Sequence, residues 1–143
     1  MEDKKMSILR QVIEEGFGNG DLYVIDQLMN ENCVDHQFGM NEGKAGVKKA
    51  VISLTKAFSN RNYELIQSSQ QGNIVWMHYR ATGTHTGAFM GHEATGNDYA
   101  IDVIDIAKIE DGQITEHWGV PDRFALMMQL GFLKPTNTKH EDK

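Results

Sequence analysis

The chain is poor in the residues that staple, kink or cluster. Of 143 residues one is cysteine, two are proline and two are tryptophan, and the 14 lysines and arginines are outnumbered by 20 acidic residues. With Cys33 alone, no disulfide forms within the chain and no thiolate cluster can hold a metal; Cys33 reads as a core residue. The net charge of −6, with basic residues scattered apart from the pairs Lys4–Lys5 and Lys48–Lys49, lacks the clustered cations that nucleic-acid phosphates require. No run approaches the ~20 apolar residues of a membrane span. The opening MEDKKMSILR has no apolar centre of the kind a secretory signal needs, so a cytoplasmic protein is expected. Dinucleotide and phosphate-loop glycine patterns are missing, and the six histidines are not spaced as ligand pairs, so no nucleotide cofactor and no metal are expected.

Hydrophobic residues at 40% and charged residues at 24% fit one globular domain over 1–134, with a polar tail at 135–143 that is expected to fray. Leu9, Val12, Ile13, Gly16 and Phe17 recur at helical spacing and predict a helix from about Lys4 to Gly18. After the GNGD break, Asp21 is placed to cap a second helix carrying Leu22, Ile25, Leu28 and Met29. A short extended piece, NENCVDHQFG, precedes a third helix from Gly43 with Val47, Ala50, Val51, Leu54 and Phe58 on one face. From Asn62 the period drops to two. Two hairpins are expected, turning at Gln71–Asn73 and at Asp111-Gly112, followed by a short helix that stops at Gly131. Helices first and long antiparallel hairpins after them predict an α+β fold, a curved antiparallel sheet wrapped around helices with a hollow at its open end.

Within the strand from Tyr99 to Glu110, Asp105 shares its parity with Tyr99, Ile101, Val103, Ala107 and Ile109. A carboxylate on such a face requires a partner or a protonated state, and desolvation raises its pKa unless a histidine pairs with it. The stretch IEDGQITEHWGVPDRF gathers Glu116, His117, Trp118 and Asp122 where a strand runs into a helix. Asp122 admits two readings: an N-cap for RFALMMQL, or an acid/base turned into the hollow. His36, at the end of the extended piece, is either a structural histidine or a cavity residue.

GTHTGAFMGHEATGN (83–97) and IDVIDIAKIEDGQITEHWGVPD (101–122) resemble the SnoaL-like polyketide cyclases, also called ester cyclases. GNGDLYVIDQLMNENCVDH (18–36) and GKAGVKKAV (43–51) are similar to the same family's opening helices, so the resemblance spans about Met6 to Gly131. It implies the cone-shaped α+β barrel of nuclear transport factor 2, a homodimer through outer sheet faces, and ring closure by intramolecular aldol condensation of a small hydrophobic carbonyl compound without cofactor. On that resemblance Asp122 is the acid/base, His36 lines the cavity, and Trp118 forms a wall. Where aromatic polyketide cyclases carry a histidine on the penultimate strand, this chain has Asp105. The loop after GTHTG lacks the family's proline. Asp122, His36 and Asp105 are therefore the catalytic candidates, with Trp118, His85, Tyr99 and His117 as substrate-binding ones. The same groups serve an isomerase or a dehydratase, and a non-catalytic small-molecule binding domain of the same fold is the alternative class. The outward face carrying Trp76 and His78 beside uncharged neighbours also favours a homodimer.

Overall fold

Two aspartates open the chain's first helices by accepting backbone N–H groups. Asp3 takes Lys5 N at 2.7 Å and starts α1 (Lys4–Gln11). Asp21 takes Tyr23 N and Val24 N and starts α2 (Leu22–Leu28). A computed structural model describes residues 3–39 and 43–134 of the chain; the polar tail expected at 135–143 lies outside them. Beyond α1 the chain runs on in wider π-helical turns over Val12–Phe17, burying Val12, Ile13, Gly16 and Phe17. Gly16 lets Ile25 of α2 pack close, since a Cβ would stand 2.6 Å from Ile25 Cδ1 and displace it.

The extended piece forms β1 (Met29–Asp35), and α3 follows over Gly43–Ala57. Four strands complete the sheet: β2 (Phe58–Gln71), β3 (Ile74–His85), β4 (Asp98–Glu110) and β5 (Gln113–Pro121), before α4 (Arg123–Leu130). Asp111 and Gly112 both have positive φ, 51° and 78°, the backbone that a two-residue hairpin turn requires. β2 begins at Phe58, four residues before the alternation becomes visible, because Asn60 (φ 54°) sits in a register shift between Ser59 and Asn62. A second shift falls between Leu65 and Gln67. Such bulges bend and twist a strand, which is how this sheet curves.

The strand order is β1-β5-β4-β3-β2. The expectation of a purely antiparallel sheet is corrected at one edge, where β1 pairs with β5 in parallel. The sheet is therefore mixed, and it stays open rather than closing into a barrel, since its ends β1 and β2 do not pair with each other. Helices cover the concave face, where Val75, Met77, Tyr79, Ala107 and Ile109 are buried against Leu9, Val12 and Ile25. The Tyr79 hydroxyl donates to Glu14 Oε2 at 3.0 Å and ties the π-helical turn to β3. Among the described residues no helix is long and apolar enough to cross a membrane.

Arg61 joins three elements. Its guanidinium donates to Phe17 O at 2.7 and 3.1 Å, to Phe58 O at 3.1 Å and to Leu54 O at 3.4 Å. Carbonyls at helix ends lack intrahelical donors, and a charged donor is the stronger partner for them. Arg61→Ala is expected to lower unfolding free energy by about 1.5–3 kcal/mol, read as a shift in the urea midpoint with an unchanged slope.

Candidate active site

Between the helices and the concave sheet lies a cavity of about 120 Å³. Phe17, Phe58, Tyr63, Phe89 and Tyr99 give it an aromatic side, while Gln37, Asp105 and Arg123 supply its polar groups. Among the described residues Asp105 is the single carboxylate in that wall. Burial pushes the Tyr63 and Tyr99 hydroxyls above their ordinary range, so both remain neutral phenols at physiological pH. Tyr99 packs over Gly83, where a Cβ would stand 2.6 Å from Tyr99 Oη.

Behind Asp105 stands a buried charged trio. His117 Nε2 lies 2.9 Å from Asp105 Oδ1, and its Nδ1 lies 3.0 Å from Asp35 Oδ2. All three side chains are almost wholly buried. Burial alone drives an imidazolium pKa down; here the two carboxylate hydrogen bonds and the two negative charges outweigh it and raise His117 to about 10. His117 is thus an imidazolium donating from both ring nitrogens. The condition attached to Asp105 in the sequence is met, since a histidine does pair with it. Asp35 Oδ1 also accepts Gln37 N at 2.9 Å, which fixes the turn that carries Gln37 to the cavity. Gly119 makes room for that side chain, because a Cβ there would collide with Gln37 and stand 3.2 Å from His117 Cε1.

Two of the expected cavity residues face the other way. His36 is exposed on the outer face, where it is 2.8 Å from Glu116 Oε2 and stacks on Trp118 with centroids 4.7 Å apart. The reason lies in the register of β4 and β5. Ile109 pairs with Ile114 but Lys108 pairs with Glu116, so Thr115 is an extra residue on β5. That bulge reverses the alternation and turns His117 inward with Ile114, sending Glu116 and Trp118 outward. On β1, buried Cys33 fixes the parity that points Asp35 in and His36 out.

Asp122 is exposed and caps α4, its Oδ1 accepting Ala125 N at 3.0 Å; it is not part of the cavity wall. His85 is fully buried beside Phe58 and Phe132 but does not line the cavity. Thr95 N donates to its Nδ1 at 3.1 Å, while Nε2 is a buried atom without a hydrogen-bond partner among the described residues. His117 supports the wall from behind, and Tyr99 belongs to it directly. Asp35, Gln37 and Arg123 were missed from the sequence. For Asp35 a signal existed: two residues after a cysteine read as core, it shares that cysteine's side of an extended segment. Among the described residues no group of three or more His, Cys, Asp or Glu side chains is arranged to hold a metal ion.

A curved α+β sheet with helices over one face and a small cavity between them describes the nuclear transport factor 2-like class. Residues 7–130 match the family model of the SnoaL-like polyketide cyclases, and the chain belongs to that family. It is 30% identical over 111 residues to aklanonic acid methyl ester cyclase DnrD of Streptomyces peucetius, covering 77% of this chain and 76% of that one. Similarity to aklanonic acid methyl ester cyclase DauD of Streptomyces sp. strain C5 is 29% over 115 residues, covering 80% and 71%. The structure of TsrD from Streptomyces laurentii superposes with a TM-score of 0.83 at 22% identity, over 93% of this chain and 99% of that one, which supports the fold.

Two outcomes check this geometry. The folded-state pKa of His117 lies above its ordinary 6.5, so its stabilisation is fully present below about pH 6.5 and is lost as pH rises through about 10. Melting temperature is expected to fall across that window, and the His117 ring signals in NMR to titrate near its upper end rather than near 6.5. At Asp122, Asn is expected to preserve stability, while Ala costs about 0.5–2 kcal/mol in chemical denaturation.

Proposed function

We propose that the protein is a cofactor-independent cyclase that closes a ring in a small carbonyl compound by aldol-type condensation, with Asp105 as the acid/base. The observation that carries this reading is the placement of Asp105, the cavity's one carboxylate among the described residues, against an imidazolium that is itself held by a second carboxylate. The names of DnrD and DauD point the same way.

The chemistry follows from the charges. Asp105 removes a proton from carbon beside a carbonyl; the electron pair becomes an enolate and attacks a second carbonyl of the same molecule. The alkoxide that forms takes the proton back from Asp105, so the product is an isomer of the substrate and no co-reactant is consumed. His117 occupies Oδ1 and offsets the cost of placing a carboxylate in an apolar wall. Asp35 holds the other ring nitrogen and fixes the imidazole's orientation. The acid/base role moves here from Asp122 because a proton donor must reach the bound substrate, and Asp122 faces solvent.

The test uses aklanonic acid methyl ester and simpler 1,3-dicarbonyl esters in deuterated buffer, followed by NMR for ring closure and for exchange of the acidic carbon-bound proton. Wild type is expected to promote one or both. Asp105→Asn is expected to lower the rate ~10²–10⁴-fold without unfolding the protein, while Asp122→Asn retains it. Full activity in folded Asp105→Asn overturns the assignment and favours the binding-domain reading.

The homodimer belongs to the same proposal. Trp76 and Val120 are 46% and 59% exposed on the outer sheet face, and the register sets Trp76 beside Ile106 and Val120 beside Ile104. An exposed apolar face of this kind is better covered than left in water. Sedimentation equilibrium at micromolar concentration is expected to give twice the chain mass, and Trp76→Glu to give the monomer.

A further inference from the structure

We infer that Arg123 is the oxyanion-stabilising residue of this site, with Gln37 beside it, so that substrate binds with its reacting carbonyl oxygen toward the start of α4. The inference rests on the proton abstraction by Asp105 proposed above and concerns where the negative charge goes next.

Three elements bring the polar groups to one end of the cavity. Asp105 of β4 pairs across the sheet with Gly119, and the Gln37 side chain lies over that same glycine. Two residues further along, Pro121 pairs with Val103, and Arg123 follows as the first residue of α4. Pro121, Val103 and Arg123 all line the cavity. Phe17, Leu54, Phe58 and Phe89 elsewhere in the wall offer no hydrogen-bond donor. A carbonyl oxygen buried against those rings loses its water partners without replacement, so it is driven toward the polar end.

When the carbon–hydrogen bond breaks, the proton passes to Asp105 and the electron pair spreads onto the carbonyl oxygen. One negative charge leaves the carboxylate and appears on the substrate. In a largely apolar cavity such a charge is stabilised by donors already in place. Arg123 is the one cation in the wall among the described residues. Its Nη2 donates to Phe38 O at 3.1 Å, which braces the side chain and uses one of five N–H groups. Among the described residues it makes no ion pair with Asp105 or any other carboxylate. Its charge is therefore not spent on the base. Tyr63 and Tyr99 are the competing donors in the wall, both neutral phenols without the charge of Arg123, and the Tyr99 hydroxyl is packed over Gly83 on β3.

Asp105→Asn imitates the neutral, protonated carboxyl of the intermediate, and p-nitrophenol supplies a stable oxyanion whose ionisation is visible by absorbance. Asp105→Asn is expected to bind the phenolate in preference to the phenol. Adding Arg123→Gln is expected to weaken phenolate binding about tenfold or more while leaving phenol binding unchanged. Adding Arg123→Lys instead is expected to restore part of the preference, and adding Tyr99→Phe to change it little. Thermal melts of each variant establish folding, and the Lys variant carries the comparison if the Gln variant does not fold. Equal affinity for phenolate with and without Arg123, loss of the preference in Tyr99→Phe, or no phenolate binding by Asp105→Asn overturns the inference. Carbon-bound proton exchange by wild type reports on Asp105 independently, so failure of the oxyanion assignment is distinguishable from failure of the acid/base reading.

Discussion

The site depends on one interaction, the pair of hydrogen bonds from the His117 imidazolium to Asp35 and Asp105. Two carboxylates and a histidine buried without partners would each cost several kcal/mol. Together they form a unit of net charge −1 in which every group has an ionic neighbour. The unit does positional work as well. Asp35 belongs to β1, His117 to β5 and Asp105 to β4, so the trio joins three adjacent strands at one depth in the sheet. Removing His117 leaves two carboxylates buried without a cation, whereas removing either aspartate leaves a neutral pair and one ring nitrogen without its acceptor.

The cavity inherits its asymmetry from that unit. On the β4–β5 side the wall carries Asp105, with Gln37 held over Gly119 by a turn that Asp35 itself fixes. Across from it, aromatic rings meet edge to face, with Phe58 at 4.8 Å from Phe89 and 5.2 Å from Tyr99. Such contacts give a rigid apolar surface without charge of its own. Orientation of a bound molecule thus follows from solvation: the charged groups, Asp105 and Arg123, lie apart from the phenylalanine rings.

Much of the fold was legible because it rests on local rules. Asp21, Asp111-Gly112 and Gly131 mark their cap and turns unaided, and period-two alternation set the inward face of β4 with Asp105 on it. The site was less legible because two of its determinants are not local. The extra residue at Thr115 shows only when β5 is laid against β4, and it decides whether His117 or Trp118 turns inward. The partner of β1 is likewise a matter of topology, and without it Asp35 has no visible reason to be buried. Asp122 shows a different difficulty. Its family resemblance and its capping signal coincide on one residue, and only the orientation of the side chain separates them.

β1 has consequences for the order in which the chain becomes itself. It pairs with β5 and with no other strand, and Asp35 is 82 residues from the histidine that neutralises it. During synthesis, α1, α2, α3 and the β2–β3 hairpin precede His117 in the chain, so Asp35 still lacks its counterion when they have been made. A chain halted before β5 has neither a partner strand for β1 nor a cation for either carboxylate. Contacts so distant in sequence form late, after loop closure has been met elsewhere. The charged trio thus acts as the last clasp of the fold, and an incomplete chain cannot carry a finished cavity.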